Sequence, residues 1–193
     1  NLVMSNRGWK TLQDIGLDNE IKKIGIPVEK RAIHLQDNSL TYQNYGKEGE
    51  AIYSLSRGIL NRKMFDLAEQ AGVVFFFEQK IWDVTLTDAT LHIGDEERGE
   101  WEEHKFDKVF GADGAFSRVR HRMQRQSMFN YSQEFLQLGY KELNIPANAD
   151  GTHKLDKNAL HIWPRGNFMM IALPNADGSF TCTLFLPFEG EIS

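Results

Sequence analysis

The sequence predicts an α/β (α+β) fold, a helical and mixed-strand first part followed by an antiparallel sheet. Three observations carry that prediction. Residues 58–70 place Leu60, Met64, Leu67, Ala68 and, just beyond, Ala71 on one helical stripe, with Gly72 suited to terminate it. Residues 160–187 form strand-like runs in which Asn175-Ala176-Asp177-Gly178 supplies a hairpin turn. Between these regions, β-branched and aromatic clusters alternate with short helical patterns.

In order along the chain, the first 25 residues read as helix. Ser5 or Asn6 caps a segment bearing Trp9, Leu12 and Ile15, and a second turn over 17–24 carries Ile21 and Ile24. Strands are expected at 32–35 and 51–56, the strong helix at 58–70, and a buried strand at Val73–Phe77. Strands at 80–86 and 90–93 form a hairpin across Thr87-Asp88-Ala89. The acidic stretch 94–103 reads as a solvated loop, 105–112 as a strand, and 117–123 as a short basic helix. Strands at 134–143, 160–164, 168–174 and 180–187 complete the chain, with a long loop at 144–158. Alternation in the last hairpin puts Met169, Ile171 and Leu173 on one face and Met170 and Ala172 on the other.

Composition narrows the function classes. The chain has 193 residues, 41% apolar and 25% charged, with a formal charge of −5. That is enough chain to bury a sizeable core, and the balance is that of a globular protein. Net negative charge argues against a general nucleic-acid binder. The longest apolar run, Phe168–Leu173, is six residues, far short of a bilayer span. The single cysteine, Cys182, excludes an internal disulfide and suggests a reducing compartment. The six histidines are scattered without metal-ligand spacing, so no metal is expected. No Ser/His/Asp or Cys/His set suggests a catalytic nucleophile. Both ends read as internal to a longer chain.

Chemistry concentrates in Gly111-Ala112-Asp113-Gly114-Ala115-Phe116-Ser117-Arg118-Val119-Arg120. Glycines at 111 and 114 allow close backbone approach, and a helix starting near Ser117 offers N–H groups to phosphate oxygens. Asp113 is placed to accept hydrogen bonds from sugar hydroxyls. A plain strand-to-helix turn capped by Ser117 accounts for the spacing equally well. No Gly-x-Gly-x-x-Gly occurs, so this segment alone cannot complete a nucleotide site. Arg31, Arg57 and Tyr45 could hold an anion, a guanidinium clamping a carboxylate and a phenol adding a donor. Solvated or packing roles explain each of these residue types taken singly. The apolar face of the last hairpin could wall a pocket or simply pack in a core.

The 111–120 segment resembles the Asp-Gly motif of class A flavoprotein aromatic hydroxylases. The stretches from Asn1 to Gly8, from Tyr131 to Gln133, and Leu160-His161-Ile162-Trp163-Pro164-Arg165 are similar to the kynurenine-hydroxylating members. So are Phe168 to Asn175 and Ser179 to Phe185, and the resemblance covers nearly the whole chain. It implies a para-hydroxybenzoate-hydroxylase-like fold. Residues 1–125 would form part of a Rossmann-like FAD/NAD(P)-binding domain with substrate-contacting strands, and 126–193 an incomplete antiparallel substrate-domain sheet. It also implies FAD and NADPH as cofactors, with O₂ adding to the flavin as a hydroperoxide that hydroxylates L-kynurenine to 3-hydroxykynurenine, a step of tryptophan catabolism and NAD biosynthesis.

Residue by residue, the resemblance assigns Arg31 and Tyr45 to the substrate carboxylate, and Met169, Ile171, Leu173 and Phe185 to the wall around its ring. Val3, Arg57, Ile81 and Asp113 match cofactor contacts. The first glycine-rich fingerprint and the later flavin-side segment of that family are not in these residues. A central fragment, inactive alone, from a cytoplasmic parent is therefore expected, with homodimerisation through uncovered apolar surface and no sign of a membrane segment. The alternatives are a related flavin hydroxylase of another aromatic acid and a non-catalytic module that lost its cofactor.

Overall fold

The computed structural model describes residues 1–47, 49–95 and 98–190. They divide into two compact units, one comprising residues 1–72 and 136 onward, the other residues 73–135.

The first unit holds two sheets. One has the order β1-β5-β2, from β1 (Leu2–Met4), β2 (Ile26–Val28) and β5 (Ile52–Leu55), all antiparallel. Register puts Leu2, Met4, Tyr53 and Leu55 on one face, where α1 (Asn6–Asp14), α2 (Asp18–Lys22) and α3 (Arg57–Gln70) pack. Trp9, Leu12, Ile21 and Leu55 are buried there, with Leu60, Met64 and Leu67 of α3 against them. The helical spacing read in the sequence is therefore the packing surface. Ile15, expected on it, caps α1 and is exposed. The helical reading of the first 25 residues misses β1, and the first strand expected from the sequence, at 32–35, leaves out β2. Three-residue strands leave little local signal, and Pro27 is tolerated because β2 is an edge.

The second sheet has six strands in the order β4-β3-β10-β11-β12-β9. These are β3 (Lys30–His34), β4 (Leu40–Asn44), β9 (Leu138–Ile145), β10 (Ala159–Arg165), β11 (Phe168–Pro174) and β12 (Phe180–Pro187). All neighbours run antiparallel except β3 and β10, which are parallel. The β11–β12 hairpin turns as its sequence predicts. Asp177 Oδ1 accepts from Ser179 N–H at 3.0 Å and from its hydroxyl at 2.6 Å. Gly178 has φ +86°, and a Cβ there would lie 2.2 Å from Gly151 O, so only glycine fits. The two sheets meet where Asn1 Nδ2 and Ser54 Oγ both donate to Pro174 O, at 3.2 and 2.9 Å.

One face of the six-stranded sheet is the core. Ala172, Phe180 and Cys182 are buried among Ile145, Leu155, Trp163 and Met170. Within it lies a histidine pair, His34 Nε2 to His161 Nδ1 at 2.9 Å, with His34 stacked 4.3 Å from Trp163. His161 Nε2 lies 2.9 Å from Asp156 O. A carbonyl only accepts, so His161 carries its proton on Nε2 and its Nδ1 accepts from His34 Nε2–H. Burial holds both imidazoles below the usual histidine range, helped at His34 by the neighbouring His161 and Arg165.

The sign of the linkage follows. Below about pH 6.5 the unfolded chain binds protons that the folded pair refuses, so stability present above that pH is lost as pH falls. The urea midpoint should drop between pH 7.5 and 5.5. His161→Gln, which cannot titrate, should flatten that dependence, and an unchanged pH slope in this variant would refute the assignment.

The second unit contains a β-meander of β6 (Ile81–Thr85), β7 (Thr90–Asp95) and β8 (Glu100–Lys105), followed by α4 (Arg118–Gln124). An ion pair from Arg122 to Asp83 at 3.1 Å ties α4 to β6. Three expectations fail in this unit. Val73–Phe77 lies outside any sheet, with Val74 72% and Phe76 79% exposed. Its composition suits a strand, but strands form only against a partner edge. Most of 94–103 belongs to β7 and β8, not to a loop, and Glu96 and Glu97 of that stretch lie outside the described residues. Every residue of β8 is exposed, so its polar sequence hid its pairing. The strand expected over 105–112 ends at Lys105, and Phe110 is 88% exposed.

No helix among the described residues is long and apolar enough to cross a membrane.

Candidate functional site

Register decides which candidates share a surface. Residues opposite one another in a sheet project to the same face. Arg31 pairs with Leu160, Ile162 with Ile171, Pro164 with Met169, Met169 with Phe185, and Leu173 with Thr181. Arg31, Met169, Ile171, Leu173 and Phe185 therefore all lie on the face opposite the histidine core. The alternation read from the hairpin is correct, and Met170 and Ala172 point into that core. Near Met169 and Phe185 this face is hollowed into a pocket of about 270 Å³.

Arg31 stands out for its partners. Its guanidinium carbon lies 4.6 Å above the Tyr45 ring, and Nη1 donates to Gln43 Oε1 at 3.3 Å. Gln43 is opposite Arg31 in the β3–β4 register, and Tyr45 directly follows β4. Both partners are neutral. The sequence reading had no strand over 40–44, because an edge strand exposed along its whole length shows no apolar alternation. Gln43 was missed with it.

Val3 and Arg57 belong to the three-stranded sheet region. Val3 is opposite Ser54 on the face away from the helices and is 42% exposed. Arg57 opens α3, just after Ser56, whose hydroxyl caps the helix by accepting from Ile59 N–H at 3.5 Å. In the second unit, Ile81 begins β6 beside a register shift between Ile81 and Asp83.

At Asp113 the structure corrects one inference. The N–H groups expected to be free for phosphate are satisfied within the chain. Asp113 Oδ2 accepts from Arg118 N–H at 2.6 Å and Val119 N–H at 3.2 Å, while Oδ1 accepts from Ser117 Oγ at 2.6 Å. Ser117 Oγ in turn accepts from Arg120 N–H at 3.0 Å. A carboxylate beside a helix N-terminus is favourably placed and outcompetes an external anion for these donors. The Ser117 hydroxyl, with the Val119 and Arg118 N–H groups, keeps Asp113 below the usual carboxylate range. An ionised carboxylate has about four lone-pair sites. With three used, one remains for an outside hydroxyl. The turn thus keeps an acceptor and not these N–H donors for an outside group, and Gly114, at φ +78°, has open space around it.

This architecture is that of FAD-dependent hydroxylases, the para-hydroxybenzoate-hydroxylase-like fold. HpxO of Klebsiella pneumoniae, complexed with FAD and uric acid, superposes with a TM-score of 0.72 at 14% identity, covering 98% of this chain and 48% of that one. The tetrameric form of 2-methyl-3-hydroxypyridine-5-carboxylic acid oxygenase gives 0.73 at 16% identity over 97% of this chain and 48% of its own.

In sequence, all 193 residues match kynurenine 3-monooxygenases. Identity is 76% to that of Flavobacterium johnsoniae, 63% to that of Christiangramia forsetii and 44% over 195 aligned positions to that of Dictyostelium discoideum. The chain spans about 43% of the length of the first two and 42% of the third. No protein-family profile matches it.

Proposed function

We propose that the protein carrying this chain is an FAD-dependent, NADPH-using monooxygenase that hydroxylates L-kynurenine to 3-hydroxykynurenine with O₂. One observation carries the reading beyond fold and sequence similarity: a guanidinium that pairs with no carboxylate among the described residues shares a sheet face with an apolar wall. L-Kynurenine has the matching shape, an amino-acid head at one end and an aromatic ring at the other.

In this reading Arg31 clamps the substrate carboxylate, and Tyr45 supports the guanidinium plane from beneath and offers its hydroxyl as a second donor. Met169, Ile171, Leu173 and Phe185 hold the ring and exclude water from it. The aromatic amine already activates the ring, so the chain's main task is positioning. Val3 and Arg57 in the first unit, and Ile81 and Asp113 in the second, are the proposed cofactor contacts, Asp113 through its remaining acceptor site. When bound, FAD takes electrons from NADPH and activates O₂ for transfer to the ring.

The test uses the complete open reading frame that contains this sequence. NADPH oxidation should be stimulated by L-kynurenine, with 3-hydroxykynurenine formed in step. A flavin-loaded protein indifferent to kynurenine would overturn the substrate and point to another aromatic acid. Because the 193 residues span under half of their relatives' length, we place activity in the longer protein. Submicromolar FAD binding by these residues alone would refute that placement.

A further inference from the structure

We propose that Gln43 is a positioning residue for Arg31, and that its neutrality keeps the guanidinium available to the carboxylate of an amino-acid substrate. The inference rests on the reading of Arg31 given above and adds the residue that holds it.

Three observations support it. Gln43 is the cross-strand neighbour of Arg31 on the edge strand β4, and its Oε1 accepts from Arg31 Nη1 at 3.3 Å. Tyr45, two residues further on, lies 4.6 Å beneath the same guanidinium. The end of β4 and the residue after it therefore hold the cation by an edge hydrogen bond and a ring face together. No carboxylate among the described residues pairs with Arg31.

The chemical consequence lies in what an amide can and cannot do. An arginine is fixed most strongly by a bidentate carboxylate, which would also neutralise it. The amide oxygen orients one nitrogen, leaves the charge uncompensated and leaves the other N–H donors of the fork for an incoming carboxylate. A glutamate at 43 would reach the same nitrogen and compete as an internal substitute for the ligand.

The experiment measures KM and kcat for L-kynurenine-stimulated NADPH oxidation in the full-length, FAD-loaded protein, comparing Gln43→Glu, Gln43→Ala and Arg31→Ala. Gln43→Glu should raise KM by about tenfold or more with kcat little changed, and Gln43→Ala by about threefold. An analogue lacking the carboxylate should be used equally well by the parent and by both Gln43 variants, which a general loss of structure would not permit. Unchanged KM in both Gln43 variants, with a raised KM in Arg31→Ala, overturns the role of Gln43 and leaves the carboxylate site standing. Unchanged KM in Arg31→Ala as well overturns both. If Gln43→Glu does not fold, Gln43→Ala decides by the same criteria.

Discussion

In the complete protein, on the proposal that it hydroxylates L-kynurenine, replacing Arg31 by alanine should raise KM for that substrate by about two orders of magnitude while leaving the stability of the fold nearly unchanged. Hydrogen bonds to a charged group contribute about 1.5–3 kcal/mol, and about 1.4 kcal/mol is a tenfold change in affinity. A clamp worth about 2–3 kcal/mol at this half-exposed position therefore corresponds to roughly 100-fold. Little stability is at stake, since among the described residues the Arg31 side chain is held by one long hydrogen bond and a ring contact. Steady-state kinetics with a urea titration of the same variant separates the two effects. A KM within threefold of the parent's would remove Arg31 from the site.

Phe180→Ala should have the largest effect on folding, a loss of about 3–5 kcal/mol. Phe180 is wholly buried near the start of β12. Its ring is met edge-on by His161 at 5.5 Å and by His153 at 5.4 Å. Truncation would open a cavity between two histidine rings that have no apolar side chain to offer in its place. Against a typical total of about 5–15 kcal/mol, such a loss would leave the sheet marginal. Phe110→Ala is the matched control: Phe110 is 88% exposed, so the same chemical change should cost about 0.5 kcal/mol or less. Denaturant midpoints at constant slope measure both, and equal shifts would contradict this description of the core.

Nothing in the sequence around these two phenylalanines separates them. Phe110 follows Lys108-Val109 and precedes a glycine, a stretch that reads as a buried strand. Phe180 stands in an equally plausible one. What differs is the partner: β11 and β9 flank β12 on both sides, while 106–112 lies outside any sheet. The same reason explains Val73–Phe77, whose composition is that of a strand without a neighbouring edge. It also explains the reverse errors at 40–44 and 100–105, polar segments made strands by β3 and β7.

The candidate site divides along the same line. The Asp-Gly turn was legible because a glycine-framed aspartate before a capping serine is a local pattern. Its hydrogen bonds were not, since the choice between an external phosphate and Asp113 for the Arg118 and Val119 N–H groups depends on distances of 2.6 and 3.2 Å. Arg31 and Tyr45 were visible singly, as residue types able to hold an anion, and were paired only through the family resemblance. Gln43 had no signal at all.

By itself, then, the sequence determined what depends on near neighbours: the stripe of α3, the turn at Asn175–Gly178, the alternation of β11, and the cap at Ser117. These follow from backbone geometry over a few residues, which side-chain type controls directly. Only the tertiary structure decided that Arg31 and Phe185, 154 positions apart in the chain, share one face of one sheet. Register between distant strands is set by the summed burial of both faces, here the histidine core on one side, and no single segment carries that information.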